Sequence, residues 1–162
     1  WDERRGFTAR TWTREPLVVI VGRGHRWARL RSVSVAELQT EPLLGGETGT
    51  GTGHLLRERL GAAAESLTLV GGFASTEAVK RAVRAGYGAS IVMESSVADE
   101  VAALQLVALR VDGVELDKQI KLIVPEALPH AAPAFALFEA SQGWARSLPG
   151  SAAAAALSAG FA

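Results

Sequence analysis

The chain has 162 residues, no cysteine, and 17 basic side chains balanced by 17 acidic ones. That length fits one domain or one and a part, and 48% hydrophobic residues is a globular rather than a disordered composition. The lack of cysteine excludes a disulfide framework and a thiolate metal site, the apolar runs are too short to span a bilayer, and no apolar signal segment opens the chain.

Residues 1–15 are polar and read as loop or edge structure. The first 31 residues carry eight arginines against Asp2, Glu3 and Glu15, a local excess of five positive charges. A basic stretch can mark nucleic-acid contact. These arginines lack helical spacing, and the whole chain has 14 Arg against 3 Lys, which favours a solvated surface in an arginine-rich composition. Leu17 to Val21 is a continuous apolar, mostly β-branched run between Pro16 and Gly22, the pattern of a strand buried on both faces. Ser34 with Glu37 three residues on has capping-box spacing for a short helix ending near Leu38. Pro42 to Leu44 reads as a second strand, Gly45 to Gly53 as a loop, and His54 to Ala64 as a helix. Ser66 to Val70 is a third strand. Ser75 or Thr76 caps the next helix, whose Val79, Ala82 and Val83 share one face and which Gly86 ends. Ala89 to Met93 is a strand, Ser96 to Ala103 a short helix, and Leu106 to Val111 a strand that Asp112-Gly113 turns. Gln119 to Val124 is a further strand. Pro133 to Trp144 is a helix, with Leu137 and Trp144 on one stripe and Phe135 and Phe138 close by. The alternation of strands and helices points to an α/β domain with a mixed, largely parallel sheet.

No residue pattern argues for catalysis. His25, His54 and His130 are far apart and have no partner at ligand spacing, so no metal site is expected. No nucleophile elbow or paired carboxylates occur. No catalytic residue, cofactor or enzyme activity is assigned. The most distinctive local feature is the loop Gly46-Glu47-Thr48-Gly49-Thr50-Gly51-Thr52-Gly53. Its glycines free backbone N–H groups to face a ligand, its hydroxyls add donors, and a helix N-terminus follows. It lacks the lysine of a phosphate-binding P-loop, and its glycines are spaced differently from a dinucleotide fingerprint. It is either a ligand loop or a surface turn of small residues. Phe73 to Glu77 is a second strand-to-helix loop, where one hydroxyl caps the helix and the other is free to face a ligand beyond the strand end.

Several segments together resemble one family. Glu15 to Gly22 followed by Gly24-His25-Arg26-Trp27-Ala28, then Ser32 to Leu38, Glu41 to Leu44, Glu47 to Thr52, Ser75 to Val92, and the strands Leu106 to Leu109 and Gln119 to Val124 are similar, in that order, to LysR-type transcriptional regulators. Ser75 to Val92 is the most specific stretch, and the likeness runs from about Glu15 to Ala140. It implies a periplasmic-binding-protein-like effector-binding domain of two α/β lobes joined by two crossing strands, with the ligand cleft between the lobes. On that pattern residues 1–21 are part of the first lobe and its crossing strand. Residues 22–118 are the second lobe, 119–148 the return strand and a helix of the first lobe, and 149–162 an Ala-rich tail. Trp1 then marks a cut in a longer protein. The ligand-facing positions carried over are Gly49, Thr50, Gly51, Thr52, Ser75 and Thr76, with Arg23 as a further candidate.

The chain departs from the family where Gly53 stands in place of an arginine, Thr48 in place of a proline, and Arg26 in place of the proline after His25. The first change removes an anion partner. The resemblance implies a bacterial, cytoplasmic regulator that senses a small, anionic effector. It implies a homo-dimer or tetramer that touches DNA only through a helix-turn-helix domain without counterpart here, and no membrane association. The alternatives are a periplasmic solute-binding protein for a small anion, which shares the lobe pattern, and an enzyme built on the same lobes.

Overall fold

A computed structural model of the chain describes residues 5–46 and 49–144. The expectations for Trp1, for Glu47 and Thr48 in the glycine-rich loop, and for the 149–162 tail lie outside the described residues, as does the side chain of Trp144. The chain divides into two compact units. One is the continuous segment Pro16–Lys118, and the other is formed by both flanks, Trp1–Glu15 with Gln119–Ala162.

The continuous unit is built around strand β1 (Phe7–Gly22), whose second half lies in it. From Leu17 to Val21 all five side chains are at most 3% exposed. Successive strand residues point to opposite faces. Leu17, Val19 and Val21 accordingly enter one core cluster, and Val18 and Ile20 enter another. The first core takes Leu38 from α1 (Val35–Leu38) and Leu55 and Leu56 from α2 (Gly51–Leu60). The second takes Val79 and Val83 from α3 (Thr76–Arg84). The helices therefore cover both faces of one sheet.

β1 lies between β5 (Ser90–Met93) and β6 (Leu106–Val111), antiparallel to both, with Val19 opposite Ile91 on one side and Leu109 on the other. β2 (Ser32–Val33) extends the sheet parallel to β6, and β7 (Asp117–Pro125) also pairs with β1. β3 (Leu43–Leu44) and β4 (Leu69–Val70) form a parallel pair, joined to the strand line of β5 by a parallel bridge from Leu43 to Ala89. The sheet is thus mixed, and its antiparallel share comes from the one strand that enters from the flanking unit. The two ends of the continuous unit meet directly, since the Leu17 N–H donates to the Leu116 carbonyl at 2.6 Å.

Local chemistry explains the element boundaries. Ser34 and Glu37 form the reciprocal capping box, in which the Ser34 N–H donates to the Glu37 carboxylate at 2.7 Å. These bonds to Ser34, backbone first and hydroxyl second, hold the Glu37 carboxyl below its ordinary value. α2 starts three residues before His54, because the Thr50 hydroxyl accepts from the Gly53 N–H at 3.0 Å and caps it there. It stops at Gly61, and Gly61–Ser66 continue as a 3-10 turn rather than as α-helix. The expected helix at 96–103 is a 3-10 turn, Glu94–Val97, followed by α4 (Ala98–Ala102).

The flanking unit, in its described part, holds the first half of β1, most of β7 and α5 (Pro133–Trp144). The polar segment read as loop or edge is strand from Phe7 onward, so β-branched threonines at 8, 11 and 13 outweigh its polarity. In α5 the buried anchor is Phe138, at 4% exposure, whereas Leu137 is 58% exposed, so the expected stripe is displaced by one position. Arg10 binds this helix twice. Its guanidinium lies 4.5 Å from the Phe138 ring centroid and donates to Glu139 at 2.8 Å.

Two glycines with positive φ separate steric from conformational demands. Gly88 has φ 146°, and a β-carbon there would collide with the Pro42 carbonyl, because Ala89 hydrogen-bonds that same carbonyl. Gly113 has φ 70° with open space around it. Gly88→Ala is expected to destabilise the chain by about 2–4 kcal/mol and Gly113→Ala by only about 1 kcal/mol. Urea denaturation of the two variants checks the difference.

Candidate functional site

β3, β4 and the strand line of β5 run in the same direction. Their C-terminal ends therefore open on one edge, the place where parallel α/β sheets hold ligands. From β3 the chain turns through Gly45 and Gly46, at φ 79° and 75°, before reaching Thr50 and α2. From β4 it passes Phe73 to Ser75 and enters α3, and from β5 it enters the Glu94–Val97 turn. Both helices start with a hydroxyl cap. Thr50 accepts from Gly53, and the Ser75 hydroxyl accepts from the Ala78 N–H at 3.3 Å. Ser75 is thus the cap and Thr76 the first helical residue, which decides the alternative the sequence leaves open.

These loops enclose a pocket of about 230 Å³. Its polar wall holds Thr50, Thr52, Ser75, Thr76, Ser90 and Ser96, its apolar wall includes Phe73, Val79 and Val92, and Lys118 supplies the one charged group among the lining residues. The ammonium and the two helix N-termini make the environment positive in sign. No carboxylate or histidine lines it among the described residues. The arrangement can bind an anion or a hydrogen-bond acceptor.

Of the residues singled out from sequence, Thr50, Thr52, Ser75 and Thr76 line this one pocket. Gly51 lies behind it, where a β-carbon would come within 2.8 Å of the Lys118 ammonium. Gly49 takes φ 95°, a backbone state that favours glycine, and leads into the Thr50 cap. Arg23 lies elsewhere. It borders a separate depression with Ala28, Arg29, Leu104, Leu106 and Val107, and donates to the Leu104 carbonyl at 3.2 Å. Three pocket residues escape the sequence reading. Ser90 is 1% exposed and donates to the Leu44 carbonyl at 2.6 Å, so it ties β5 to β3 at the pocket floor. Ser96 donates to the Met93 carbonyl at 2.7 Å. Lys118 opens β7, and its only sequence signal is the rarity of lysine in this chain. Among the described residues no group of three or more metal-ligating side chains occurs.

One ion-pair cluster braces the pocket from behind. The Lys80 ammonium on α3 donates to the Ser96 carbonyl at 3.2 Å, to Glu77 on its own helix at 3.0 Å, and to Glu100 on α4. The Lys80 and Glu100 side chains are only 14% and 21% exposed. The bond from Lys80 holds the Glu100 carboxyl below its ordinary value, bonds from Lys80 and Arg81 do the same for Glu77, and bonds to Glu100 and then Glu77 raise Lys80.

A family model described as "LysR substrate binding domain" matches residues 1–146. An uncharacterised HTH-type transcriptional regulator of Mycobacterium bovis is 35% identical over 115 residues, which cover 68% of this chain and 37% of that protein. The chain therefore spans little more than a third of that relative's length. Among solved structures, the regulatory domain of CcmR from Synechocystis, in complex with 2-PG, superposes with a TM-score of 0.71 at 19% identity, covering 90% of this chain and 70% of that one. The effector binding domain of QuiR in complex with shikimate gives 0.68 at 18%, covering 91% and 69%. Identities this low establish likeness of fold.

The brace predicts a pH dependence with a definite sign. The lowered carboxyls contribute stability that is complete above the ordinary value of 4.5 and lost as pH falls through their depressed values. The raised lysine contributes stability that is complete below 10.5 and lost as pH rises through its folded value. Glu100→Gln is expected to lower the melting temperature at neutral pH and to make the loss of stability below pH 4.5 shallower, as followed by circular dichroism across a pH series.

Proposed function

The chain belongs to the LysR substrate binding domain family, and we propose that it is the effector-sensing part of a LysR-type bacterial transcription regulator. In this reading a small anionic metabolite is held in the pocket at the ends of β3, β4 and β5. The observation that carries it is the convergence of hydroxyls from two separate loops, Thr50 and Thr52 with Ser75 and Thr76, on one pocket. Gly49 and Gly51 serve by shaping the first loop, and Arg23 borders a separate depression. Two proteins of like fold were solved with small molecules bound, 2-PG and shikimate, which supports a small polar ligand here as well.

Binding shifts a conformational equilibrium of the regulator by the difference in affinity between its states. That shift alters how a helix-turn-helix domain elsewhere in the full-length protein engages DNA, and this chain itself makes no sequence-reading contact. The regulator works in the cytoplasm as a homo-dimer or tetramer and needs no cofactor. Among the described residues no helix is long and apolar enough to cross a membrane. A solute-binding protein of similar lobes is disfavoured, since the relatives in sequence are named as transcriptional regulators. An enzyme is disfavoured on the same ground.

The test uses two hydroxyls that are not helix caps. In the full-length regulator, Thr52→Val with Thr76→Val is expected to leave operator affinity unchanged while the effector's influence on DNA binding falls by about tenfold or more. The effector comes from a thermal-shift screen of small carboxylates, phosphates and sulfate on the wild-type regulator. An effector response that survives the double substitution unchanged sinks the assignment of this pocket.

A further inference from the structure

Resting on that reading of the pocket, we propose that Lys118 is its charge-selecting residue and that the ligand presents a carboxylate, phosphate or sulfate group to it. The first observation is where the ammonium sits. A β-carbon built on Gly51 would lie 2.8 Å from Lys118 Nζ and 3.1 Å from its Cε. The charge is therefore packed onto the first helical residue of α2, the end at which the helix itself carries a partial positive charge. A cation placed there is repelled by the helix.

The second observation is that nothing among the described residues neutralises it. The eight ion pairs they form engage Lys80 and several arginines, and none includes Lys118. The acidic residue in the first turn of α3, Glu77, is already bound to Lys80 at 3.0 Å and Arg81 at 3.3 Å, so it does not serve the pocket. A like-charged pairing of ammonium and helix end becomes favourable when an anion lies between or beside them, because both then donate to it. The Ser75 hydroxyl accepts from its own helix and keeps its hydrogen to give, while Thr52 and Thr76 add further donors along the same wall.

The third observation is size. The pocket, about 230 Å³, is of a size for a small molecule rather than for a macromolecular segment. With Phe73, Val79 and Val92 also among its lining residues, it suits a carboxylate or a phosphate or sulfate group on a partly apolar body.

Thermal-shift and calorimetric titrations of the whole chain test this with inorganic phosphate, benzoate and neutral benzamide, each up to about 20 mM. Wild type is expected to be stabilised by phosphate or benzoate and not by benzamide. Which of the two anions binds tells a tetrahedral oxyanion from a carboxylate. Lys118→Met is expected to weaken that binding about tenfold or more while leaving the ligand-free melting temperature equal or higher, since a repulsion is relieved. Gly51→Ala, which favours the helix yet expels the ammonium, is expected to weaken binding in the same direction. The inference is overturned by equal stabilisation from benzamide, by no response to either anion, or by an unchanged affinity in Lys118→Met. Thr52→Val/Thr76→Val separates the two levels. If it abolishes anion binding and Lys118→Met does not, the pocket stands as the site and Lys118 falls. If the reverse holds, the oxyanion site stands without the effector pocket.

Discussion

Leu17, Val19 and Val21 point to one side of a sheet, Val18 and Ile20 to the other, and none of the five is more than 3% exposed. Burying such side chains is worth about 1.5–3 kcal/mol each, so this short run contributes on the order of 10 kcal/mol before the entropy of ordering it is subtracted. The consequence is architectural. A strand apolar on both faces needs cover on both, and α1 with α2 supplies one layer while α3 supplies the other. It also needs paired neighbours on both edges, which β5 and β6 provide. Even its last residue is constrained from outside. A β-carbon on Gly22 would lie 2.9 Å from the Val83 carbonyl, so α3 sits as close to the strand as a backbone allows.

The pocket follows from that packing. Once α2 and α3 are held against opposite faces, their N-termini and caps border the ends of the parallel strands between them. The hydroxyls that cap the helices, Thr50 and Ser75, are then the same ones that line the pocket. The rigidity of the rear wall comes from Lys80, which ties α3 to the turn carrying Ser96 and to α4. Of the three lysines in the chain, one braces the pocket and another lines it, while none of the far more numerous arginines is among its described lining residues. A compact ammonium on a slender stem fits between a helix end and a strand where a planar guanidinium needs more room.

Legibility in the sequence tracked how local the cause was. The buried strand, the capping box at Ser34 and the α3 cap with its terminating glycine each depend on residues a few positions apart, and each is present in the structure. The strand at residues 7–15 was hidden because its partners come from the far end of the chain, and polar threonines gave no burial signal. The start of α2 was hidden because two glycines lower helix propensity and the Thr50 cap overrides them. At the site, the loop hydroxyls could be read because strand-to-helix loops announce themselves. Lys118, Ser90 and Ser96 could not, since only sheet register brings them to the loops. Arg23 follows the central strand closely in sequence, yet it leaves β1 at the end that meets the start of the antiparallel β5, and it borders a different depression.

The contact between the Leu17 N–H and the Leu116 carbonyl has a kinetic meaning. The flanking unit is discontinuous. Its first half of β1 must find β7 and α5 across an intervening segment of about a hundred residues, and closing so long a loop in an open chain costs roughly 4 kcal/mol of entropy. The continuous unit has no such gap in its own sequence, and its folding brings its two ends within hydrogen-bonding distance. Residues 5–15 and 119–144 then emerge from neighbouring points as though joined by a short turn.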